Sequence, residues 1–248
     1  MAVSWSVNLE HGPRWWYAHV AELPGCFTRG ETREAVLDAL PSAIEIHKNR
    51  LLSRGIAEVP LRSGLSFVEV AEGVPELGES GGAVALFRSD RAAVDGEGFR
   101  AILQLMALNR ETLLSMVQSL SGSHRKARII PGKRTVNEDL RHVANAEEWY
   151  ISRMGGRWQQ TYVSYLDQNT GKGQDHIERL NLVRQGVVHT LTEAFPEFRD
   201  EVFRRPEYTR HPEEEWTYRK VLRRFVEHEW EHVGTISRLL ERPPLVSE

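Results

Sequence analysis

The chain is expected to fold as two domains of different class. Residues 1–74 should form a small α+β module of order β-β-β-α-β, and residues 95–242 an all-α, up-down four-helix bundle, with 75–94 as the linker. Three observations predict this division. Apolar residues alternate with period two near the N-terminus, as in a half-buried sheet. The stretch Glu72–Gly82 is rich in turn formers and poor in large apolar side chains. From about Asp95 onward the apolar residues recur at intervals of three and four, the helical period.

Trp5, Val7 and Leu9 point to one face if Ser4–Glu10 is a strand, and His11-Gly12-Pro13-Arg14 makes the turn. Trp15–Leu23 is a second β-prone run, in which Tyr17, His19 and Ala21 alternate with Trp16, Ala18 and Val20. Pro24-Gly25 breaks it, Cys26-Phe27-Thr28 forms a short third strand, and Gly30 turns the chain. Thr32 is the expected N-cap of a helix whose apolar positions Val36, Leu37, Leu40, Ile44, Leu51 and Leu52 carry it to Gly55, with a kink at Pro41. Phe67–Val70 is the final strand. The run from Trp16 to Ala35, with Tyr-x-Ala-x-Val-x-x-Leu-Pro-Gly-Cys followed by Gly-x-Thr, resembles the HicB antitoxin family over residues 1–72. That resemblance implies a partial RNase H-like fold and a protein partner bound through residues 1–74. No DNA-binding segment of the kind such antitoxins often add is visible, and Cys26 is read as a packing residue of the turn.

In the helical half, Phe99, Ile102, Leu103, Met106, Leu113, Met116, Val117 and Leu120 mark a first amphipathic helix. A basic loop, His124–Arg134, follows it. Thr135-Val136-Asn137-Glu138 is a capping box that opens a second helix running to Met154. Trp158–Gly173 reads as irregular. Asp175-His176-Ile177-Glu178 is another capping box, and Ile177, Leu180, Val187, Leu191 and Phe195 mark the third helix. The fourth spans Thr217–Leu240 and is stopped by Pro243-Pro244. Its apolar arc holds Val221, Leu222, Phe225, Val226, Val233, Ile236, Leu239 and Leu240, and its polar arc holds Arg219, Lys220, Arg223, Arg224, Glu227, Glu231, Arg238 and Glu241.

Four polar residues interrupt that apolar arc: His228, Glu229, His232 and Thr235. Polar groups on a buried face need partners. Two histidines four residues apart project from one face one turn apart, which suits a shared metal ion as well as it suits a hydrogen-bonded core pair. A catalytic ion needs a third ligand, and the second helix offers His142 on the shoulder of its apolar arc. The stretch Asp139–Tyr150 resembles the second helix of DinB-like metal-binding bundles, and Phe225–Leu240, with His-Glu-Trp-Glu-His, resembles their last helix. Together these resemblances cover about residues 90–242 and imply a metal site at His142, His228 and His232. They also imply enzymes that include thiol-dependent S-transferases and isomerases. His228–His232 also spells H-E-x-x-H, but only 16 residues follow it and none is a histidine that could complete a zinc protease. Glu229 is the candidate for proton transfer or for orienting a ligand. Glu147 sits in a similar odd place on the second helix, as a candidate buried acceptor. The loop cations Arg125, Lys126, Arg128, Lys133 and Arg134, with Arg205 and Arg210, are the candidate substrate contacts, and the other histidines carry no visible role.

Composition limits the function classes. Hydrophobic content of 40% and charged content of 27% describe a globular protein, and a net charge of −3 argues against coating nucleic acid. The single cysteine excludes an intrachain disulfide framework. No apolar run approaches a membrane span or a signal core, so no membrane partner and a cytoplasmic location are expected. The predicted function is a divalent-metal-dependent enzyme acting on a small-molecule substrate, a thiol-dependent transferase with zinc or nickel and a low-molecular-weight thiol. The alternatives are a non-catalytic metal- and partner-binding protein and a metal-dependent hydrolase. Assembly as a homodimer is compatible with either.

Overall fold

The structure is a computed structural model that describes residues 3–56, 62–171, 175–198 and 200–241. It divides into two compact units, and each draws on distant parts of the sequence. The first comprises residues 1–105 and 198–227, the second residues 106–197 and 228–248. Among the described residues, no helix is long and apolar enough to cross a membrane.

The first unit opens with the expected order β-β-β-α-β: β1 (Trp5–His11), β2 (Trp16–Val20), β3 (Phe27–Gly30), α1 (Arg33–Ser53) and β4 (Leu65–Ala71). The sheet order is β3-β2-β1-β4, antiparallel except for the parallel β1–β4 pair. Such a parallel pair needs a crossover, which α1 supplies. Thr32 caps α1 by accepting from the Ala35 amide at 3.1 Å, and Pro41 lies inside the helix without ending it. Val36, Leu40 and Ile44 of α1 are buried, as are Val7, Leu9, Ala18 and Val20 of the sheet. Cys26 is also buried, and burial pushes its thiol up to about 12, so it packs rather than reacts.

The segment 75–94 is not the solvated linker its composition suggested. Leu77, Ala83, Ala85 and Phe87 are buried in one cluster with Val74 and Tyr17. The glycines that made it look flexible permit close packing instead: a Cβ on Gly12 would meet Leu77 at 2.5 Å, and one on Gly82 would meet the Glu76 carbonyl oxygen at 1.9 Å. A short 3₁₀ turn, Arg88–Arg91, follows. The boundary expected at residue 74 therefore fails, because apolar side chains spaced through the turn-rich stretch complete the core of the sheet unit. The same unit includes the first turns of α2 (Gly96–Val117), the paired strands β5 (Phe203–Arg204) and β6 (Glu215–Trp216), and the start of α7 (Tyr218–Leu240).

Here α7 departs from the expected division into apolar and polar arcs. Lys220, Arg224 and Glu227, assigned to the exposed arc, are buried because each meets a partner in the sheet unit. Lys220 Nζ donates to the Val84 and Glu215 carbonyls at 2.7 Å and pairs with Glu214 at 3.0 Å. Arg223 is clamped by Asp90 and Glu227, each at 3.0 Å. His19 lies between two carboxylates, with Nε2 3.0 Å from Glu10 Oε1 and Nδ1 2.8 Å from Glu227 Oε1. Burial opposes its charge, but the two carboxylates win and raise its pKa to about 9. A residue without a visible role in the sequence is thus the centre of a buried ion bridge.

The second unit is helical. It holds the remainder of α2, the short α3 (Gly122–Lys126), α4 (Val136–Arg153), α5 (Gly156–Asn169), α6 (His176–Ala194) and the rest of α7. Both expected capping boxes are formed, at Thr135–Glu138 and Asp175–Glu178. The one-turn α3 runs into the start of the basic loop. The stretch read as irregular is α5, whose buried Trp158 and Tyr162 sit four apart on one face. Its aliphatic content is too low to show a helical stripe, and aromatic side chains do the packing instead. The Pro243-Pro244 stop lies outside the described residues.

Candidate metal centre

His142 comes from the second turn of α4, a helix whose start is fixed by the Thr135 capping box. His228 and His232 come from consecutive turns of α7. The structure brings all three together: one potential ligand atom from each lies within 4.8 Å of the others. Nε2 of His142 and Nε2 of His228 are 3.2 Å apart. Ring centroids are separated by 5.1 Å for 142 and 228, 4.9 Å for 142 and 232, and 4.6 Å for 228 and 232. The 3.2 Å pair can share a hydrogen bond if one ring carries its proton on Nε2, and it can equally share a cation if neither does. Ligands about 2.0–2.1 Å from one tetrahedral ion stand roughly 3.3 Å apart. The donor set therefore fits a divalent ion.

Protonation agrees. Burial first, then the neighbouring His232 and Arg134, press the pKa of His142 down to about 4, so the ring is neutral and able to ligate at neutral pH. His228 and His232 are buried, whereas His142 is half-buried and reaches the solvent side. Behind His228 packs the ring of Tyr150, edge-on at 5.8 Å.

Two groups around the histidines were not predicted in these roles. Asp139, one turn before His142, is buried, and its Oδ1 stands 3.3 Å from Nδ1 of His232. This is ion-pair distance without hydrogen-bond alignment, and Asp139 Oδ2 has no hydrogen-bond partner among the described residues. With Nδ1 turned toward a carboxylate, Nε2 of His232 is the nitrogen left for an ion, an arrangement that orients a ligating imidazole.

The second group corrects the role expected for Glu229. Its side chain does not serve the histidines. Oε1 accepts from Arg110 Nε at 2.6 Å and Oε2 from Arg184 Nη2 at 2.7 Å. Glu147 accepts from the same two arginines, at 2.7 Å from Arg110 Nη2 and 2.6 Å from Arg184 Nη2. The spare donors reach backbone: Arg110 Nη1 to the Leu180 carbonyl at 2.6 Å, and Arg184 Nη1 to that of Met106 at 2.7 Å. Burial would raise the pKa of Glu229, but Arg184 and Arg110 hold it below the usual carboxylate range. A carboxylate with both oxygens in charge-assisted bonds is a poor base, so Glu229 is structural here. Arg110, Glu147, Arg184 and Glu229 come one each from α2, α4, α6 and α7.

The loop cations are divided by the structure. Arg128, Lys133 and Arg134 line a cavity that also includes His142, while Arg125 pairs with Asp175 at 3.1 Å. Arg205 pairs with Glu207 at 3.0 Å, and Arg210 pairs with Glu76 at 3.0 Å, both in the sheet unit. A larger cleft along α5 and α6, about 670 Å³, contains none of the three histidines.

A helical unit with three convergent imidazoles on two of its helices is of the class that can hold a metal ion. The sequence model of the DinB superfamily matches residues 105–236, more than half of the chain, and the chain belongs to that superfamily. The match does not extend to the N-terminal sheet. Among solved structures the chain is similar to YfiT from Bacillus subtilis, described as a probable metal-dependent hydrolase with an unusual four-helix bundle topology. The identity is 17%, the alignment covers 64% of this chain and 93% of that one, and the TM-score is 0.44. No curated protein matches the chain.

Proposed function

We propose that the chain is a divalent-metal-dependent enzyme, and specifically a transferase that uses a low-molecular-weight thiol. The observation that carries the first part is the convergence of His142, His228 and His232, which are close and drawn from two helices. Zinc or nickel suits three imidazoles. When bound, such an ion supplies Lewis acidity at its remaining positions, enough to remove the proton from a thiol near neutral pH.

The choice of a thiol over water rests on what the protein side chains leave free. Water attack is helped by a carboxylate base beside the ion. Glu229 and Glu147 are both committed to arginines, and Asp139 faces His232. Among the described residues these are the buried carboxylates around the three histidines, and only Asp139 keeps an oxygen, Oδ2, without a hydrogen-bond partner. A thiol is acidic enough to need no such base. The chain's residues would then bind the ion, hold the Asp139 carboxylate beside His232, and keep Tyr150 packed behind His228.

Elemental analysis of the purified chain tests the site, and a panel of small thiols with a model electrophile tests the reaction. One divalent ion per chain is expected, falling sharply in His228→Ala and not in His47→Ala. Thiol consumption should follow the occupancy. Full occupancy in His228→Ala would remove the metal site. Metal-dependent turnover that proceeds equally well with no thiol present would replace the transferase with a hydrolase.

A further inference from the structure

His142 borders a cavity of about 390 Å³ whose walls include Arg128, Lys133, Arg134 and Arg141, with Glu138 as the acid among its lining residues. Glu138 is already committed. It closes the capping box on the Thr135 amide at 2.7 Å and takes Arg128 Nη2 at 3.0 Å. Arg128 also donates to the Lys133 carbonyl. Arg134 leans on Asp139 at 3.6 Å. Among the described residues, that leaves Lys133 and Arg141 without an acidic partner. Both are exposed at the wall of the cavity.

Position gives this surplus a direction. His228 and His232 are 9% and 7% exposed, while His142 is half-buried, so access to the three imidazoles is from the His142 side. Asn145 lies three residues beyond His142 on the same face of α4 and lines the same cavity, adding a neutral hydrogen-bonding group. A volume of about 390 Å³ lies at the small end of ligand cavities. It suits a small molecule and not a polymer.

We infer that this cavity is the substrate entrance of the metal centre, and that it selects a small molecule carrying a carboxylate or phosphate, held by Arg141 and Lys133. The inference rests on the proposed function for the word substrate, but the anion site stands on its own residues. Arg141 offers a planar fork that matches either oxyanion, and Lys133 adds a point charge. Binding should weaken with ionic strength, since the cations are open to solvent.

Titration calorimetry on the full chain, metal-loaded and metal-stripped, tests this with succinate, inorganic phosphate and neutral succinamide. At least one anion should saturate the loaded chain, and succinamide should not. The double variant Lys133→Gln/Arg141→Gln should weaken that binding about tenfold or more while its metal content stays unchanged. Comparing succinate with phosphate separates a carboxylate substrate from a phosphorylated one. Saturation by neither anion, equal binding of succinamide, or undiminished anion binding in the double variant overturns the inference. If the histidine variants show that no ion is bound, while the stripped chain still takes the anion through Lys133 and Arg141, the enzyme reading falls and the anion site remains.

Discussion

At the scale of single residues, the proposed centre has a buried carboxylate beside one of its histidines. Asp139 is placed by the same helix as His142, and through its 3.3 Å approach to His232 Nδ1 it links α4 to α7 within the site. Removing a carboxylate that orients a ligating imidazole costs typically 10–100-fold in metal affinity. Asp139→Ala should therefore lose affinity toward the upper end of that range. Asp139→Asn, which keeps an acceptor oxygen but no charge, should fall near the lower end. Chelator competition on the folded variants reads both. Equal affinities for wild type and Asp139→Ala would mean that His232 is held by packing alone. In sequence Asp139 was visible only as a neighbour of His142, because its partner lies 93 residues away on another helix. Spacing within one helix cannot announce such a pair.

At the scale of elements, legibility followed the length of the repeating pattern. The strands, α1 and the long helices were readable because each repeats a period over several turns or pairs, and the two capping boxes because each is a fixed four-residue motif. The aromatic α5 was not, and neither was the packed stretch 75–94, where turn chemistry reports backbone freedom but says nothing of burial. The buried arginines were legible in principle. Arg110 stands four after Met106 and three before Leu113, and Arg184 stands four after Leu180 and three before Val187, and all four neighbours are buried. A charge on an apolar stripe asks for an opposite charge on another helix, and Glu147 and Glu229 were the flagged candidates. What the sequence withheld was the pairing. The strand–helix contact at His19 gives a test of the same kind in the sheet unit. Its pKa is raised from about 6.5 to about 9, so the folded state binds the proton more tightly than the unfolded chain. The stabilisation is complete below about pH 6.5 and is lost as the pH rises through about 9. Denaturant midpoints measured across that window should fall in the wild type and flatten in His19→Gln. An unchanged slope in His19→Gln would assign the loss to another group.

At the scale of the whole molecule, two compact units are each assembled from two separate stretches of the sequence, and α2 and α7 contribute to both. Cutting the chain at residue 74 or 90 would therefore divide a core. The four-way arrangement of Arg110, Glu147, Arg184 and Glu229 governs how the helical unit comes apart. It is formally neutral only when all four helices are present. A form with any one helix detached keeps an unbalanced charge in the interior, and breaking a buried pair in this way costs about 3–5 kcal/mol. Glu229→Gln should lower the unfolding free energy by about that amount in denaturant titration, and a loss under about 1 kcal/mol would show that the arginines find other partners. The same charge balance gives the helical unit a consequence in time. Three-helix intermediates are disfavoured by that cost, so α4, α6 and the parts of α2 and α7 in this unit should exchange their amide hydrogens mainly through one shared opening. The histidines from α4 and α7 would then be presented to an ion all together or not at all.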